Sequence, residues 1–503
     1  MTNIMFALSP LLVVALGSLL LMLAEAFGAK SAAHGRQEHD GTAGLALIAA
    51  IVCLAGGAAA AGVWMFGLDH VEGIGAVAPW LIIDRFSLFF DGILCLGGAL
   101  AALLAGGYLR EHRLERGEFY ALILLTTLGA MILASAGDLL TVFLGLETMS
   151  LGAYAMTAFR RSSARSAEGA LKYFLLGSFA AALLLYGFAL LYGATGHTDL
   201  AGIGASLRGG VRSAMVIMAL VLVLVGLLFK VSAVPFHMWT PDAYEGAPTP
   251  ATTYMAVAVK AGGFAMMLRV LMTAFGDPQS MSWSSGWPPV LAAVSVVTMT
   301  VANLIAGRQD SVKRMLAYSS IAHAGYILLG VVTMIRQPTM GGASVLFYLL
   351  TYTVSTAGAF GALILCGSHG KEAVSYEDLA GIGKRHPAAA LPFSLFLLSL
   401  AGIPPTAGFF GKWFLFRAAI DGGFYWLAGI ALVNSGIGAY YYLRVLVYMY
   451  MREPAAGAPV AVPMRSGYVS AALLLSAILV IALGLAPSGS LEVAISAATG
   501  FAG

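Results

Sequence analysis

The segment LLFKVSAVPFHMWTPDAYEGAPTP, residues 227–250, decides the architecture. An apolar run beginning near residue 212 reaches Lys230, then meets Pro235, Pro241, Gly246 and Pro248, so one straight helix cannot continue through it. A second stretch, SLAGIPPTAGFFGKW at 399–413, repeats the device inside the long apolar run 389–417 and also carries a lysine, Lys412. One such break is an ordinary proline kink. Two, each with a lysine at membrane depth, fit broken helices, which are found where freed backbone groups line an ion path.

Working outward, apolar runs recur along the whole chain. Of 503 residues, 60% are hydrophobic and 10% charged, against roughly 25% charged in a soluble domain. A water-soluble fold is excluded. Runs long enough to cross a bilayer lie near 4–26, 43–66, 84–108, 118–136, 138–159, 167–194, 212–245, 249–274, 288–307, 315–335, 341–366, 389–417, 421–451 and 466–488. The fold expected is therefore all-α integral membrane, with about fourteen transmembrane helices. The first run has no basic residues before it and no small-residue cleavage site, so it reads as a retained span.

Loop charge sets the orientation, since Lys and Arg accumulate on the cytoplasmic side. With the N-terminus outside, the inner loops hold Lys30, Arg36, Arg110, Arg113, Arg116, Arg160, Arg161, Arg165, Arg308, Lys313, Arg314, Lys371, Lys384, Arg385, Arg452 and Arg465. The outer loops hold Arg208, Arg212, Arg336 and Arg417. Both termini are expected on the periplasmic side. The net charge of +3 is the balance of 27 basic and 24 acidic residues, and gives no reason to expect a nucleic-acid partner. Cys53, Cys95 and Cys366 stand singly in apolar runs, which argues against a disulfide or a cysteine metal site.

The two breaks lie about 170 residues apart, Tyr173 and Tyr348 lie 175 apart, and Glu147 and His323 lie 176 apart. This spacing predicts two five-helix repeats, 118–274 and 288–451, each with one broken helix. An odd number of spans separates equivalent positions, so the repeats are inverted, as in secondary transporters. Residues 1–117 supply three preceding transmembrane helices, and 452–503 a last transmembrane helix and tail.

Ionisable groups inside a membrane cost on the order of 3 kcal/mol or more each and are functional candidates by default. Here they are Glu147, Lys172, Lys230, His237, Lys260, His323 and Lys412, with Asp138, Arg269 and Arg444 nearer span ends. Glu147 stands nine residues after Asp138, roughly 13 Å along a helix and hence near midplane. A carboxylate there needs a cation: Lys230 first, Lys172 second. Burial lowers a lysine pKa towards neutrality and a nearby carboxylate raises it again, so shifting the carboxylate switches the lysine between holding and releasing a proton. Lys260 and His323 are the middle carriers and Lys412 the terminal one. Lys172 is the residue that snorkelling explains most readily, and His237 either relays protons or caps the broken helix. Trp80, Trp239, Trp283, Trp287 and the run Tyr440–Tyr442 read as interface anchors or packing.

FLGLETMSLGAYAM at 143–156, the 227–250 segment, KRMLAYSSIAHAGYILLG at 313–330 and GIPPTAGFFGKW at 402–413 together resemble the antiporter-like subunits shared by respiratory complex I and multisubunit cation/proton antiporters. The resemblance covers essentially the whole chain. A lysine ending GIPPTAGFFGKW is similar to the N-type subunits of bacterial complex I, where the sister subunit M carries glutamate. The resemblance implies a proton-translocating membrane subunit of an NADH:quinone oxidoreductase, with Glu147 and Lys230 paired, Lys260 and His323 connecting, and Lys412 leading outward. It implies no redox cofactor in this chain: FMN, iron–sulfur clusters and quinone belong to other subunits. Its implied partners are subunit M, small membrane subunits and the lipid bilayer, in a bacterial inner membrane. A subunit of a Na⁺/H⁺ antiporter or of a membrane-bound hydrogenase is the alternative, and a static scaffold a third reading that leaves the buried charges unexplained.

Overall fold

A computed structural model describes residues 2–32, 43–66, 77–210, 213–368, 370–454 and 461–500. Arg36 and Arg212 of the loop-charge count lie outside these residues, as do both chain ends. Among the described residues, twelve helices are long and apolar enough to cross a membrane. Two more spans are broken, Ala214–Lys230 continuing as Trp239–Gly246, and Pro387–Ala401 continuing as Ala407–Asp421. Twelve and two make the fourteen expected.

Burial ranks these helices. Thr249–Ala274 and Val312–Thr333 are each 94% buried over their most apolar window and Pro338–Cys366 is 89% buried, whereas Ala164–Thr195 and Tyr425–Met451 are 33% buried. A helix covered on all sides by other helices has no lipid face to satisfy. Its polar side chains therefore cost little only if they bond to one another. These three central helices carry Lys260, His323, Tyr348 and Tyr352.

The breaks follow from local chemistry. Pro235 has no N–H for the Val231 carbonyl one turn back, and Ser232 adopts φ +64°, turning the chain out of the helix. The freed Val234 N–H donates to Thr298 Oγ1 at 3.0 Å, and the Trp239 indole N–H donates to Phe229 O at 3.3 Å. In the second break Pro404 and Pro405 remove the donors due to the Leu400 and Ala401 carbonyls, and Gly402 turns at φ +85°.

Three features go beyond the expected pattern. The span 249–274 contains two π-helical segments, Met255–Val259 and Val270–Ala274, and Lys260 directly follows the first. A short helix, Leu200–Arg208, lies between two spans, and the expected tail forms a helix, Pro487–Thr499, packed on Pro338–Cys366. Of the tryptophans, Trp239 and Trp287 are buried, with Trp287 donating to Phe275 O at 3.1 Å, while Trp80 and Trp283 are exposed.

Candidate functional site

Lys230 ends the first half of its broken helix, and its side chain is buried. Nζ donates to Ser150 Oγ at 2.8 Å and lies 5.9 Å from the Tyr173 ring centre. Glu147 precedes Ser150 by three positions on the helix Leu139–Thr157, which puts the two on one face. It is half-buried, and among the described residues it makes no ion pair. The two charges are thus neighbours without touching, and the serine takes the lysine's bond. Beside them Leu146, Ser150, Tyr154 and Lys230 line a cavity of about 10 Å³, room for a single water.

Lys260 is held from the other side. Its ammonium donates to the carbonyl and hydroxyl of Ser320, and the Tyr352 hydroxyl donates to the same Ser320 Oγ at 2.9 Å. Ser320 lies three residues before His323 on Val312–Thr333. The His323 ring is buried among phenols: Nδ1 meets Tyr348 Oη at 2.7 Å and Nε2 meets Tyr442 Oη at 3.0 Å. Tyr442 also bonds Ser319. Neutral hydroxyls here meet both imidazole nitrogens and share the lysine with one backbone carbonyl, so these ionisable groups sit in a polar thread with an apolar sheath.

Lys412 closes the thread. Nζ donates to Ala401 O at 2.9 Å and to Ser435 Oγ at 2.9 Å, over the Tyr326 ring at 5.5 Å. Ala401 O is one of the two carbonyls that the Pro404–Pro405 pair leaves without a helical donor, so the ammonium replaces the missing N–H. A cavity of about 10 Å³ lined by His323, Tyr348, Tyr352, Ser355, Ser399 and Lys412 joins the histidine to this lysine.

Two secondary candidates stand apart. The Lys172 side chain is 43% exposed and pairs with Glu168 at 2.6 Å and Asp242 at 2.7 Å. It is not brought to Glu147. His237 is half-buried within the first break and takes no part in the bonds of Lys230 or Lys260.

Sequence reading missed the hydroxyls Ser150, Ser320, Tyr348, Tyr442 and Ser435. Tyr442, expected as packing or an anchor, bonds His323, while Tyr440 of the same run is 63% exposed. It also missed a polar cluster at the arginine-rich end of the bundle. Glu372 accepts bonds from Tyr108 and from Thr249 Oγ1 at 2.7 Å and pairs with Lys313 at 3.3 Å. Lys313 also donates to Ala247 O at 2.7 Å, and Arg160 to Tyr108 Oη at 3.0 Å. Burial alone would raise the Glu372 carboxyl, but Lys313, the Tyr108 and Thr249 hydroxyls and Arg160 outweigh it and hold it down to about 2. Lys313, counted from sequence as a loop charge, is 1% exposed.

A buried row of ionisable groups from Lys260 to Lys412, with Lys230 at a second break, is the pattern expected of a carrier of protons or small cations. The family model described as NADH:quinone oxidoreductase/Mrp antiporter, TM, matches residues 136–438. NADH-quinone oxidoreductase subunit N 1 of Sorangium cellulosum (strain So ce56) is 66% identical over 501 residues, 98% of each chain. The chain belongs to this family, and the resemblance to its N-type members stands. A chain of respiratory complex I from Thermus thermophilus with bound Aureothin superposes with TM-score 0.77 at 35% identity, covering 96% of this chain and 98% of that one. A chain of the Mrp complex from Dietzia sp. DQ12-45-1b superposes with TM-score 0.83, covering 99% and 97%, but at 24% identity. Shape alone does not separate the two branches; sequence does.

Proposed function

We propose that this chain, a proton-translocating membrane subunit of NADH:quinone oxidoreductase, moves protons along Glu147, Lys230, Lys260, His323 and Lys412. The observation that carries this route is the near-continuous polar thread from Lys260 through Ser320, Tyr352 and His323 to Lys412. A lysine and an imidazole can each take up and release a proton when their surroundings bring their pKa near the working pH. Redox chemistry, FMN, iron–sulfur clusters and quinone are assigned to other subunits. The irregular backbone of both breaks supports protein neighbours on two sides: Pro235, Met238, Pro404 and Pro405 are exposed in this chain. Such backbone at membrane depth is tolerated only when protein or water covers it. Subunit M and small membrane subunits are the occupants we assign. The arginine-rich end supports a bacterial inner-membrane location with both termini periplasmic.

His323→Leu in assembled complex tests the route. NADH-driven proton pumping in inverted membrane vesicles is expected to collapse; unchanged pumping, with assembly verified on a native gel, would mean that protons bypass this ring.

A further inference from the structure

A third cavity lies away from the thread. It is about 270 Å³, near the lower end of small-molecule pockets at ~300 Å³, and sits where the helices Glu118–Ser135 and Leu139–Thr157 meet the arginine-rich end of the bundle. Arg116, Arg161 and Glu118 line its mouth, and Leu122, Ala155 and Phe159 its wall. Neighbouring cations are already used: Arg160 donates to Tyr108, and Arg314 pairs with Asp242 and Glu245. Arg116 and Arg161 are exposed and, among the described residues, in no ion pair.

We infer that this cavity binds the phosphate headgroup of an anionic phospholipid. Two guanidiniums offer forked donors that match phosphate oxygens; of the charged lining side chains two are cationic and one, Glu118, is anionic, while the nearby Glu25 carboxylate is engaged by Gly117 N at 3.2 Å. The apolar wall favours a lipid over free phosphate. Ala155 continues a stripe of exposed apolar side chains, Leu151, Leu144 and Leu140, down the same helix face. A headgroup held at the two arginines therefore has a ready track for its acyl chain into the bilayer, passing the flank of Glu147.

The test is photolabelling of the complete complex in native membranes, using phosphatidylglycerol with a photoreactive acyl chain and phosphatidylcholine with the same chain. Phosphatidylglycerol should label Leu122, Ala155 and Phe159 well above phosphatidylcholine. At about 1 kcal/mol per basic residue near the surface, Arg116→Gln and Arg161→Gln should each lower that label about fivefold, Lys at either site should keep most of it, and Glu118→Gln should raise it. Equal labelling by the two lipids, or an unchanged label in the Arg116→Gln/Arg161→Gln double variant, overturns the inference. Displacement of the label by millimolar inorganic phosphate would make this a free-phosphate site, and crosslinks to a neighbouring subunit would make it a protein interface. If a Gln variant fails to assemble, Glu118→Gln still decides: a raised label supports the inference and an unchanged or lowered one overturns it.

Discussion

Lys230 and Lys412 sit at matching breaks, yet they are held differently. Lys230 rests on one serine hydroxyl, because the Trp239 indole rather than the lysine covers the Phe229 carbonyl at its break. Lys412 itself supplies the donor that the Ala401 carbonyl lacks, and adds Ser435. The first lysine can shift or lose its proton and leave the backbone satisfied. The second is part of the backbone's own hydrogen bonding, and letting go exposes a carbonyl in a place without spare donors. Glu147 lies one helical turn from the Lys230 contact, whereas among the described residues Lys412 bonds only neutral acceptors and shares its cavity with His323 rather than with a carboxylate. In this comparison Lys230 is the end that an electrostatic signal can reach, and Lys412 the end that geometry controls.

The largest effect expected is at Lys412. Lys412→Ala should lower proton pumping and coupled quinone reduction at least about tenfold in assembled complex, and full pumping would sink its role. Lys412→Arg should fail as well, since a guanidinium does not release its proton at any working pH, even though it can still bond Ala401 O.

A double-mutant cycle sharpens the other half of the comparison. Glu147→Gln and Lys230→Ala should each impair pumping, with the double variant losing less than the sum of the two, by about 1 kcal/mol or more in coupling. Strictly additive losses would show that the separation seen here, with Lys230 bonded to Ser150 rather than to Glu147, persists throughout turnover.

Glu372→Gln is expected to spare the chemistry and cost stability, by roughly 3 kcal/mol, because Lys313 is left buried without its partner. The carboxyl is held near 2 against an ordinary 4.5. A depressed folded value stabilises fully above the unfolded one and fades as pH falls from about 4.5 towards 2. The gap in melting temperature between wild type and variant should therefore be full at neutral pH and close over that interval; a gap constant to pH 2 would contradict the assignment.

Lys172→Ala should be the mildest change. Lys172 itself is solvent-exposed, where ion pairs contribute little, so pumping should change less than about twofold. A larger loss would bring it back as the partner of Glu147.

What could be read from sequence depended on how rare the signal was. A lysine or glutamate in an apolar run is conspicuous, and so is Pro–Pro at membrane depth, so Glu147, Lys230, Lys260, His323, Lys412 and both breaks stood out. Serine and tyrosine occur throughout membrane helices, and nothing local marks Ser320 or Tyr442 as partners. Tyr348 and Tyr442 reach His323 from helices beginning at Pro338 and Tyr425, a meeting that only the packed bundle creates. Glu372 looks like any loop acid until Tyr108, Thr249 and Lys313 close over it. The π-helical turn before Lys260, Met255–Val259, contains no proline or glycine to announce it.

The two phenols on His323 also make the ring directional. A neutral imidazole carries one N–H, so one tyrosine must accept while the other donates. When a proton enters on one nitrogen and another leaves from the opposite one, the tautomer is exchanged and the flanking hydroxyls are left facing the way the proton came. The next proton finds the gate turned against it until ring and hydroxyls rotate back. On the proposed route the histidine would pass one proton per reset of its ring and flanking hydroxyls, so whatever resets them would pace transfer at this point.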